Sequence, residues 1–290
     1  MGRDGAETGQ AGKESFQRRE VLRGRESSHP AITLKGVSFS YRDRPVLRGI
    51  DITVPRGSYF GIVGPNGSGK TTLAYLISGI LRPSSGQVDT HAGRIGLVLA
   101  NPANQIVSLV VEEDIAFGPE NLQLSPEEIN ARIDIALSVI HAEHLRRSLT
   151  TALSGGELAK VVFAGQLALD TDVLVLDEGT VMLDPVNRKI LLETIEELNG
   201  DLGKTIIHIS HRLDDLEAAD TVVALHEGVI ALRANGVFDL TRQIEEHPIP
   251  GIEPGAKILY RDFLISKGIT EEDLEKATHE LAKRIRARSS

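Results

Sequence analysis

The sequence predicts an α/β fold whose central strands are buried on both faces. Tyr59–Val63 and Val173–Leu176 are short, nearly continuous apolar runs, a pattern typical of strands covered on both sides by other elements. The first run leads directly into a glycine-rich turn and then into a helix predicted from Thr71 to about Ile80. At 290 residues, the chain is long enough to bury a substantial core in one large or two small domains.

The composition excludes several classes of function. The formal net charge of -9 disfavours a general nucleic-acid binder, because that role requires a basic face. The chain has no cysteine, which excludes disulfides, thiolate metal sites and thiol catalysis. No stretch approaches the roughly 18 consecutive apolar residues of a membrane span, and the N-terminus lacks the apolar segment of a signal peptide. We therefore expect any role at a membrane to depend on a partner protein.

The remaining elements alternate between strands and helices. Ser125–Glu128 has the pattern of a capping box with proline at the first helical position. The other predicted elements are, in order, strands at Ile32–Tyr41 and near Ile50–Val54, helices within about Val107–Arg147, a helix after Ser154, a helix at Asn187–Leu198, a strand at Thr205–Ile209, and a closing hairpin of Thr221–Leu225 and Gly228–Leu232.

These patterns divide the chain into three parts. Residues 1–29 are polar and poor in large apolar side chains, so we expect a mostly disordered leader. Residues 30–240 form the main domain, with a helical part at about 107–150. Prolines and glycines after about residue 240 mark a linker to a small helical extension over 241–290. The last helix of this extension would carry Leu274, Leu281 and Ile285 on one face.

The glycine-rich turn carries the strongest chemical signal. Gly64–Thr71 fits the phosphate-loop pattern G-x-x-x-x-G-K-[ST], with a buried strand before it and a helix after it. Glycines let backbone N–H groups curl around a phosphate, and the helix N-terminus adds partial positive charge. Lys70 is predicted to reach the β- and γ-phosphates, and the Thr71 hydroxyl to bind Mg²⁺. The predicted nucleotide-binding residues of this segment are Asn66, Gly67, Ser68, Gly69, Lys70, Thr71 and Thr72.

Acidic and imidazole side chains follow two other strands. We expect the strand at Val173–Leu176 to lie beside the strand that precedes the phosphate loop, so that the acids at its end reach the Mg²⁺ ion. Asp177 is predicted to hold Mg²⁺, and Glu178 to act as general base or to position the attacking water. His211, after the strand at Thr205–Ile209, is predicted to hydrogen-bond the γ-phosphate or that water. Glu178, His211 and Lys70 are the predicted catalytic residues.

The order of the motifs resembles that of a known family. Leu153–Glu157 reads L-S-G-G-E, which is a helix capping box and also leaves free N–H groups that can bind an anion. A phosphate loop, a helical insert, L-S-G-G-x, a strand ending in Asp-Glu, and then L-D-P and S-H resemble the nucleotide-binding subunit of ATP-binding-cassette (ABC) transporters. The resemblance covers about Ile32 to Leu240.

The resemblance implies an architecture, ligands and further site residues. It implies a P-loop NTPase with a RecA-like core, an antiparallel β subdomain and a helical subdomain, which binds ATP and Mg²⁺. Tyr41 lies where an aromatic ring stacks on adenine in the family. Ser154, Gly155 and Gly156 would contact the γ-phosphate of ATP held by an opposite subunit, and Asp184 would lie at the dimer interface. A second ABC ATPase subunit, identical or not, is therefore an expected partner.

A narrower resemblance points to the energy-coupling-factor subgroup. It is carried by Asn101–Val107, Val111–Leu122 and Thr180–Pro185, together with a helical C-terminal extension. In that subgroup two ATPases lie beneath a transmembrane coupling protein, and a separate membrane protein captures a vitamin or a transition-metal ion. The resemblance thus implies both membrane proteins as partners, no nucleic acid, and a location at the cytoplasmic face of the cell membrane.

The chain departs from the pattern of these relatives at several positions. Relatives carry a Mg²⁺-binding glutamine just before the Asn-Pro pair, where this chain has Ala100, and the ungapped flanks mean that Gln105 is not a shifted replacement. Glu157 stands in place of a usual glutamine, Lys160 in place of arginine, and Gly179 in place of proline. Because the essential groups are present, we predict an active but altered ATPase.

Two other functions remain open at this point. One is a weakly hydrolytic, regulatory half of a heterodimeric ABC ATPase, which Ala100 favours and Glu178 and His211 oppose. The other is an ABC ATPase that is not tied to transport, for which tandem cassettes or long coiled coils would be expected. The resemblance implies that another polypeptide recognises the transported substrate, so this sequence does not reveal which substrate that is.

Overall fold

A computed structural model describes residues 30–253 together with residues 264, 267–270 and 273. The strands of this part are β1 (Ile32–Tyr41), β2 (Arg44–Val54), β3 (Tyr59–Val63), β4 (Ser85–Thr90), β5 (Ile95–Val98), β6 (Val173–Asp177), β7 (Thr205–Ser210), β8 (Thr221–His226) and β9 (Val229–Ala234). Its helices are α1 (Lys70–Ile77), α2 (Val111–Asn121), α3 (Pro126–Val139), α4 (Gly155–Ala168), α5 (Pro185–Gly200) and α6 (Val237–Glu246).

The larger sheet confirms the predicted α/β fold class and corrects one expected neighbour. Its strand order is β5-β6-β7-β3-β8-β9, and only β9 runs antiparallel to its neighbour. The strands β3 and β6 are buried along their whole length, which explains their continuous apolar sequence. The expectation that β6 lies beside β3 is wrong, because β7 lies between them and pairs with both. The carboxyl ends of these parallel strands still meet at one edge of the sheet.

The smaller sheet is antiparallel, as the resemblance implied. Its order is β2-β1-β4, and Ile32 of β1 lies opposite both Val54 and Thr90. Strand β2 begins at Arg44, earlier than predicted, because a tight turn at Arg42 (φ 53°) folds it directly back onto β1.

Helices α2 and α3 occupy the region predicted to be helical, and they pack against α4. The Ser125 hydroxyl accepts a hydrogen bond from Glu128 N at 3.2 Å and so caps α3, as its sequence predicts. Ile133 and Leu137 repeat at helical spacing and are buried in the same core as Phe163 of α4. None of the described helices combines the length and the apolarity that a bilayer-spanning segment requires.

The chain beyond residue 240 remains packed against the domain as far as Ile252. Helix α6 runs through the boundary predicted at residue 240 and ends at Glu246. Its residue Ile244 is buried in the core of the domain. Ile249 and Ile252, within the predicted linker, are buried in the same core. Between them Gly251 (φ 82°) lies against Pro65, where a Cβ would approach the Pro65 Cβ to 2.8 Å. The predicted leader and the apolar face of Leu274, Leu281 and Ile285 lie outside the described residues.

Candidate functional site

The phosphate loop connects the buried end of β3 to the first turn of α1. Gly67 and Gly69 have φ values of 80° and 106°, a region that residues with a Cβ rarely adopt. Gly64 lies so close to the Leu225 carbonyl that a Cβ could not be placed there, and that Cβ would also lie 2.7 Å from the Ser68 hydroxyl. The glycines of the motif are therefore required by the backbone geometry and by close packing.

Lys70 lies over the loop that precedes it. Its side chain is almost fully buried, and Nζ donates hydrogen bonds to Gly64 O at 2.8 Å and to Pro65 O at 3.1 Å. The ammonium group also lies 3.6 Å from Glu178 Oε1. A buried ammonium held by carbonyl groups at a helix N-terminus supplies positive charge where an anion would bind.

Asp177 and Thr71 form a pair suited to a hard cation. Asp177 is 2% exposed, and its Oδ1 has no hydrogen-bond partner among the described residues. Burial raises the pKa of this carboxyl and the charge of Glu178 adds to that effect, while a hydrogen bond from Thr71 and the charge of Lys70 oppose it. A buried carboxylate oxygen without a partner, beside a hydroxyl group, fits one Mg²⁺ whose other ligands are phosphate oxygens and water. The described residues contain no cluster of three or more His, Asp or Glu side chains that could hold a metal by itself.

Glu178 lies between Lys70 and His211. Its Oε1 is 3.6 Å from Lys70 Nζ and 3.7 Å from His211 Nδ1. Glu178 also has a φ of 54°, although it carries a side chain, and its N–H donates to Ile209 O at 2.9 Å. A non-glycine residue in this conformation has to be held there by its surroundings, and such residues are concentrated at functional sites. The Glu178 carboxylate thus lies beside the phosphate-loop residue Lys70 on one side and beside His211 on the other.

The other predicted nucleotide-binding residues lie around the loop. Asn66 and Gly67 are exposed at its tip, Ser68 and Thr72 are buried, and Ser68 Oγ has no hydrogen-bond partner among the described residues. Tyr41, at the end of β1, is half exposed, and its ring meets the Phe39 ring edge-on with centroids 4.9 Å apart. The same hairpin reaches the loop, because a Cβ on Gly69 would lie 2.7 Å from Leu47 of β2.

The L-S-G-G-E segment forms the exposed N-terminus of α4. Ser154 and Glu157 make the reciprocal capping box, in which Glu157 N donates to Ser154 Oγ at 3.3 Å and Ser154 N donates to Glu157 Oε2 at 2.8 Å. The Ser154 hydroxyl also donates to Glu157 Oε2 at 2.7 Å, and this hydrogen bond, with the one from Ser154 N, lowers the pKa of the Glu157 carboxyl. Across from the helix start, a Cβ on Gly156 would lie 3.4 Å from Leu183. Asp184 is also exposed, and its carboxylate caps α5.

The predicted site residues therefore form two groups. Lys70, Thr71, Asp177, Glu178 and His211 come together at the carboxyl edge of the larger sheet. Ser154, Gly155 and Gly156 lie near the loop that leads to Asp184. In the part of the chain that the structure describes, no hydrogen bond or ion pair joins these three residues to the phosphate loop. Both groups contain exposed residues.

The alanine at position 100 lies in the turn that follows β5. Gln105, the nearest glutamine, bonds both ends of its amide to the main chain: its Oε1 accepts from Leu99 N at 2.7 Å, and its Nε2 donates to Leu97 O of β5 at 2.8 Å. Because the amide is bonded to the main chain, Gln105 is held away from a role as metal ligand. Position 100 thus lacks a ligating side chain, as the sequence indicates.

A buried polar network that was not predicted from the sequence lies below this edge of the sheet. Asp215 accepts hydrogen bonds from Thr180 and Ser210 and forms an ion pair with Arg188. Next to it, His208 is fully buried and accepts or donates one hydrogen bond, at 2.7 Å, with the Tyr59 hydroxyl. Burial lowers the pKa of His208 to about 3, so this ring is neutral. The one sequence signal that involves this network is the S-H motif, because its serine, Ser210, directly precedes His211 and bonds to Asp215.

Comparison with known proteins gives consistent results. Residues 47–181 match the ABC transporter family. The energy-coupling factor transporter ATP-binding protein EcfA of Methanosarcina acetivorans is 44% identical over 215 residues, which cover 69% of this chain and 78% of that protein. The cobalt import ATP-binding protein CbiO of Syntrophus aciditrophicus is 39% identical over 69% of this chain and 76% of its own length. The solved structure of cbiO1 from Clostridium perfringens, part of the transporter complex cbiONQ, superposes with a TM-score of 0.66 and 32% identity, covering 76% of this chain and 96% of that one.

Proposed function

The chain belongs to the ATP-hydrolysing subunits of ABC transporters of the energy-coupling-factor type, and on that premise we propose how its site works and what it works with. Two subunits close around ATP, hydrolyse it with Mg²⁺, and thereby drive a membrane importer of a vitamin or a transition-metal ion. The observation that carries the proposal is the convergence of Lys70, Asp177, Glu178 and His211 at one edge of the sheet.

Each residue of that convergence has a distinct task. The loop N–H groups and Lys70 bind the β- and γ-phosphates, and Thr71 and Asp177 hold the cation. The Glu178 carboxylate accepts a proton from the attacking water as the oxygen of that water bonds to the γ-phosphorus and ADP leaves. His211, beside Glu178, donates a hydrogen bond to the γ-phosphate or keeps the water in line. Mg²⁺, when bound, neutralises charge that develops on the phosphate oxygens.

A second subunit completes the site in this proposal. Ser154, Gly155 and Gly156 lie at an exposed helix N-terminus, whose free N–H groups suit a phosphate presented from outside the chain. Asp184 and the exposed Met182 and Val186 flank this surface and would lie at the same contact. The proposed partner is an identical or a related ATPase that approaches head to tail, so that each L-S-G-G-E segment faces the other phosphate loop.

An exposed apolar surface supports a membrane partner. Val107, Leu109 and Leu149 are 58%, 67% and 54% exposed. They lie close together, since Val110 and Leu149 form an antiparallel bridge and Thr150 N donates to Leu109 O at 2.9 Å. Contiguous exposed apolar side chains mark contact sites. We assign this surface to a transmembrane coupling protein, which would hold the chain at the cytoplasmic face of the cell membrane beside a second membrane protein that captures the substrate.

The assembly predicts a concentration-dependent enzyme. If each site needs residues from two subunits, the ATPase activity per subunit should rise with protein concentration, or on addition of the partner ATPase, until the dimer is saturated. The measurement is the steady-state rate across a dilution series, with the fraction of dimer determined in parallel by sedimentation. Full activity in a sample shown to be monomeric at every dilution would refute the shared site.

The alanine at position 100 predicts weak retention of Mg²⁺. Ala100→Gln would return one ligand, with a free energy on the order of a hydrogen bond to a charged group, about 1.5–3 kcal/mol, part of which water already supplies. We expect the Mg²⁺ concentration for half-maximal hydrolysis to fall by up to about tenfold. The dissociation constant of ATP should hardly change, because the contacts to phosphate come from Gly64–Thr71.

The matched control for this variant is Ala103→Gln, which adds the same side chain to the same turn at an exposed position. Hydrolysis against Mg²⁺ and substrate uptake would be measured for both variants in the assembled complex. Identical Mg²⁺ curves and unchanged uptake for Ala100→Gln and the parent would mean that the alanine is a neutral substitution.

A further inference from the structure

One buried carboxylate below the site binds three segments of chain. Asp215 is 3% exposed and lies in a short 3₁₀ turn after His211. Its Oδ2 accepts hydrogen bonds from the Thr180 hydroxyl at 3.1 Å and from the Ser210 hydroxyl at 2.9 Å. Its Oδ1 accepts an ion-paired hydrogen bond from Arg188. The Asp215 carboxylate therefore uses both oxygens, and each of its partners comes from a different element or loop.

The first partner holds the loop that leaves the proposed general base. Glu178 has a left-handed backbone, and Gly179 after it has no side chain to restrict the chain. Thr180 is 2% exposed and comes next. Its hydrogen bond to Asp215 is thus the first side-chain anchor after Glu178. An unfavourable conformation such as that of Glu178 persists only where neighbouring contacts maintain it.

The second partner holds the chain at the histidine. Ser210 is fully buried and directly precedes His211. Its hydroxyl donates to Asp215 and accepts a hydrogen bond from Arg212 N at 3.0 Å. The residues on both sides of His211 are therefore tied to one hydroxyl, which itself depends on the Asp215 carboxylate.

The third partner connects the same carboxylate to the proposed dimer contact. Arg188 lies in the first turn of α5, the helix that Asp184 caps. The Arg188 side chain is 19% exposed, and its burial, together with the charge of Arg212, lowers the pKa of the guanidinium. A desolvated charge of this kind needs its counter-charge, because removal of one partner leaves the other uncompensated.

We propose that Asp215 is a positioning residue for ATP hydrolysis, which fixes the backbone around Glu178 and His211 and connects both to the helix that begins after Asp184. The inference rests on the proposed function, since it concerns the same hydrolytic site. Asp215 does not touch the reacting atoms. It acts through Thr180, Ser210 and Arg188, so that the base and the imidazole stay aligned for the attacking water. A displacement of about 1 Å at a reacting group can cost on the order of a hundredfold in rate.

Thr180→Val tests this role without unpairing a buried charge, because it removes only the hydroxyl and retains the shape of the side chain. The chain would be assembled with its partners. If the second ATPase subunit is not identical, its catalytic base would be inactivated, so that the measured hydrolysis comes from this chain's site alone. We expect the single-turnover rate of hydrolysis, which reports the chemical step, to fall about tenfold. The dissociation constant of ATP should stay within about twofold, since the phosphate loop is unchanged. Thr180→Ser, which retains the hydroxyl, should restore the parental rate.

Two comparisons separate positioning from simple loss of stability. Thr241→Val removes another buried hydroxyl, which donates to Val237 O at 2.9 Å in α6, and should leave the single-turnover rate unchanged. In a Glu178→Gln background Thr180→Val should have almost no further effect, because the group that it positions is already lost.

The results distinguish this inference from the proposed function. An active parent whose rate is unaffected by Thr180→Val, or lowered equally by Thr241→Val, overturns the positioning role alone. The positioning role is also overturned if adding Thr180→Val to the Glu178→Gln variant lowers its hydrolysis rate by a further factor of about ten. Effects that multiply in this way are independent, so Thr180 would not act through Glu178. A parent complex that binds ATP and never hydrolyses it overturns the proposed function and, with it, this inference.

Discussion

Glu178→Gln is expected to slow ATP hydrolysis by about a hundredfold or more, the usual scale for loss of a general base. The amide has nearly the same shape as the carboxylate but cannot accept the proton of the attacking water. ATP binding should persist, because Lys70 and the loop N–H groups are unchanged. The variant should therefore accumulate as an ATP-bound dimer, which gel filtration with Mg²⁺ and ATP would detect.

A second glutamate offers a matched control for that substitution. Glu227 shares with Glu178 a left-handed backbone, with φ of 47° against 54°, but it lies exposed in the β8–β9 turn. Glu227→Gln should hydrolyse ATP at the parental rate. If Glu178→Gln also did so, in an assembly where this chain's site is the only competent one, Glu178 would not be the base.

Lys70→Met is expected to abolish productive nucleotide binding. Methionine keeps most of the side-chain length but removes the ammonium group, which is buried and donates to Gly64 O and Pro65 O. Each hydrogen bond between a charged group and phosphate contributes about 1.5–3 kcal/mol, so losing two contacts costs about 3 kcal/mol or more. We therefore expect the dissociation constant of ATP to rise at least about a hundredfold, as measured by calorimetry.

Lys204→Met controls for the loss of a half-buried lysine. Lys204 pairs with Asp170 at 3.0 Å, next to the start of β7 and thus at the opposite edge of the sheet from the phosphate loop. Its replacement should lower thermal stability without weakening ATP binding. Near-parental ATP affinity in a folded Lys70→Met protein would contradict the assignment of Lys70 to the phosphates.

Local motifs were predictable because their chemistry lies in adjacent residues. Gly64–Thr71 needs its glycines for backbone conformations set within the loop itself, with φ values of 80° and 106° at Gly67 and Gly69. The capping of α3 by Ser125 and of α4 by Ser154 likewise depends on residues three positions apart. These features, and the buried strands β3 and β6, could be identified from the sequence without knowledge of the rest of the fold.

Strand neighbours and the fate of the chain after residue 240 could not be predicted in the same way. Apolar runs predict that β3 and β6 are buried and the pattern at Thr205–Ile209 predicts a strand, but neither says that β7 lies between the other two. The proline- and glycine-rich segment after α6 is typical of a linker. Only the packing shows that Ile249 and Ile252 are buried and that Gly251 lies against Pro65.

The sequence by itself thus determined the kind of chemistry: a phosphate loop, a strand ending in Asp177 and Glu178, and, through the resemblance, Ala100 in place of the glutamine of its relatives. The tertiary structure alone brought the residues that neighbour Glu178 and His211 onto one buried carboxylate, that of Asp215. Its partners Thr180 and Arg188 lie 35 and 27 residues away along the chain. Hydrogen bonds over such separations follow neither the period of a helix nor that of a strand, so they leave no pattern in the sequence and exist only once the strands have packed.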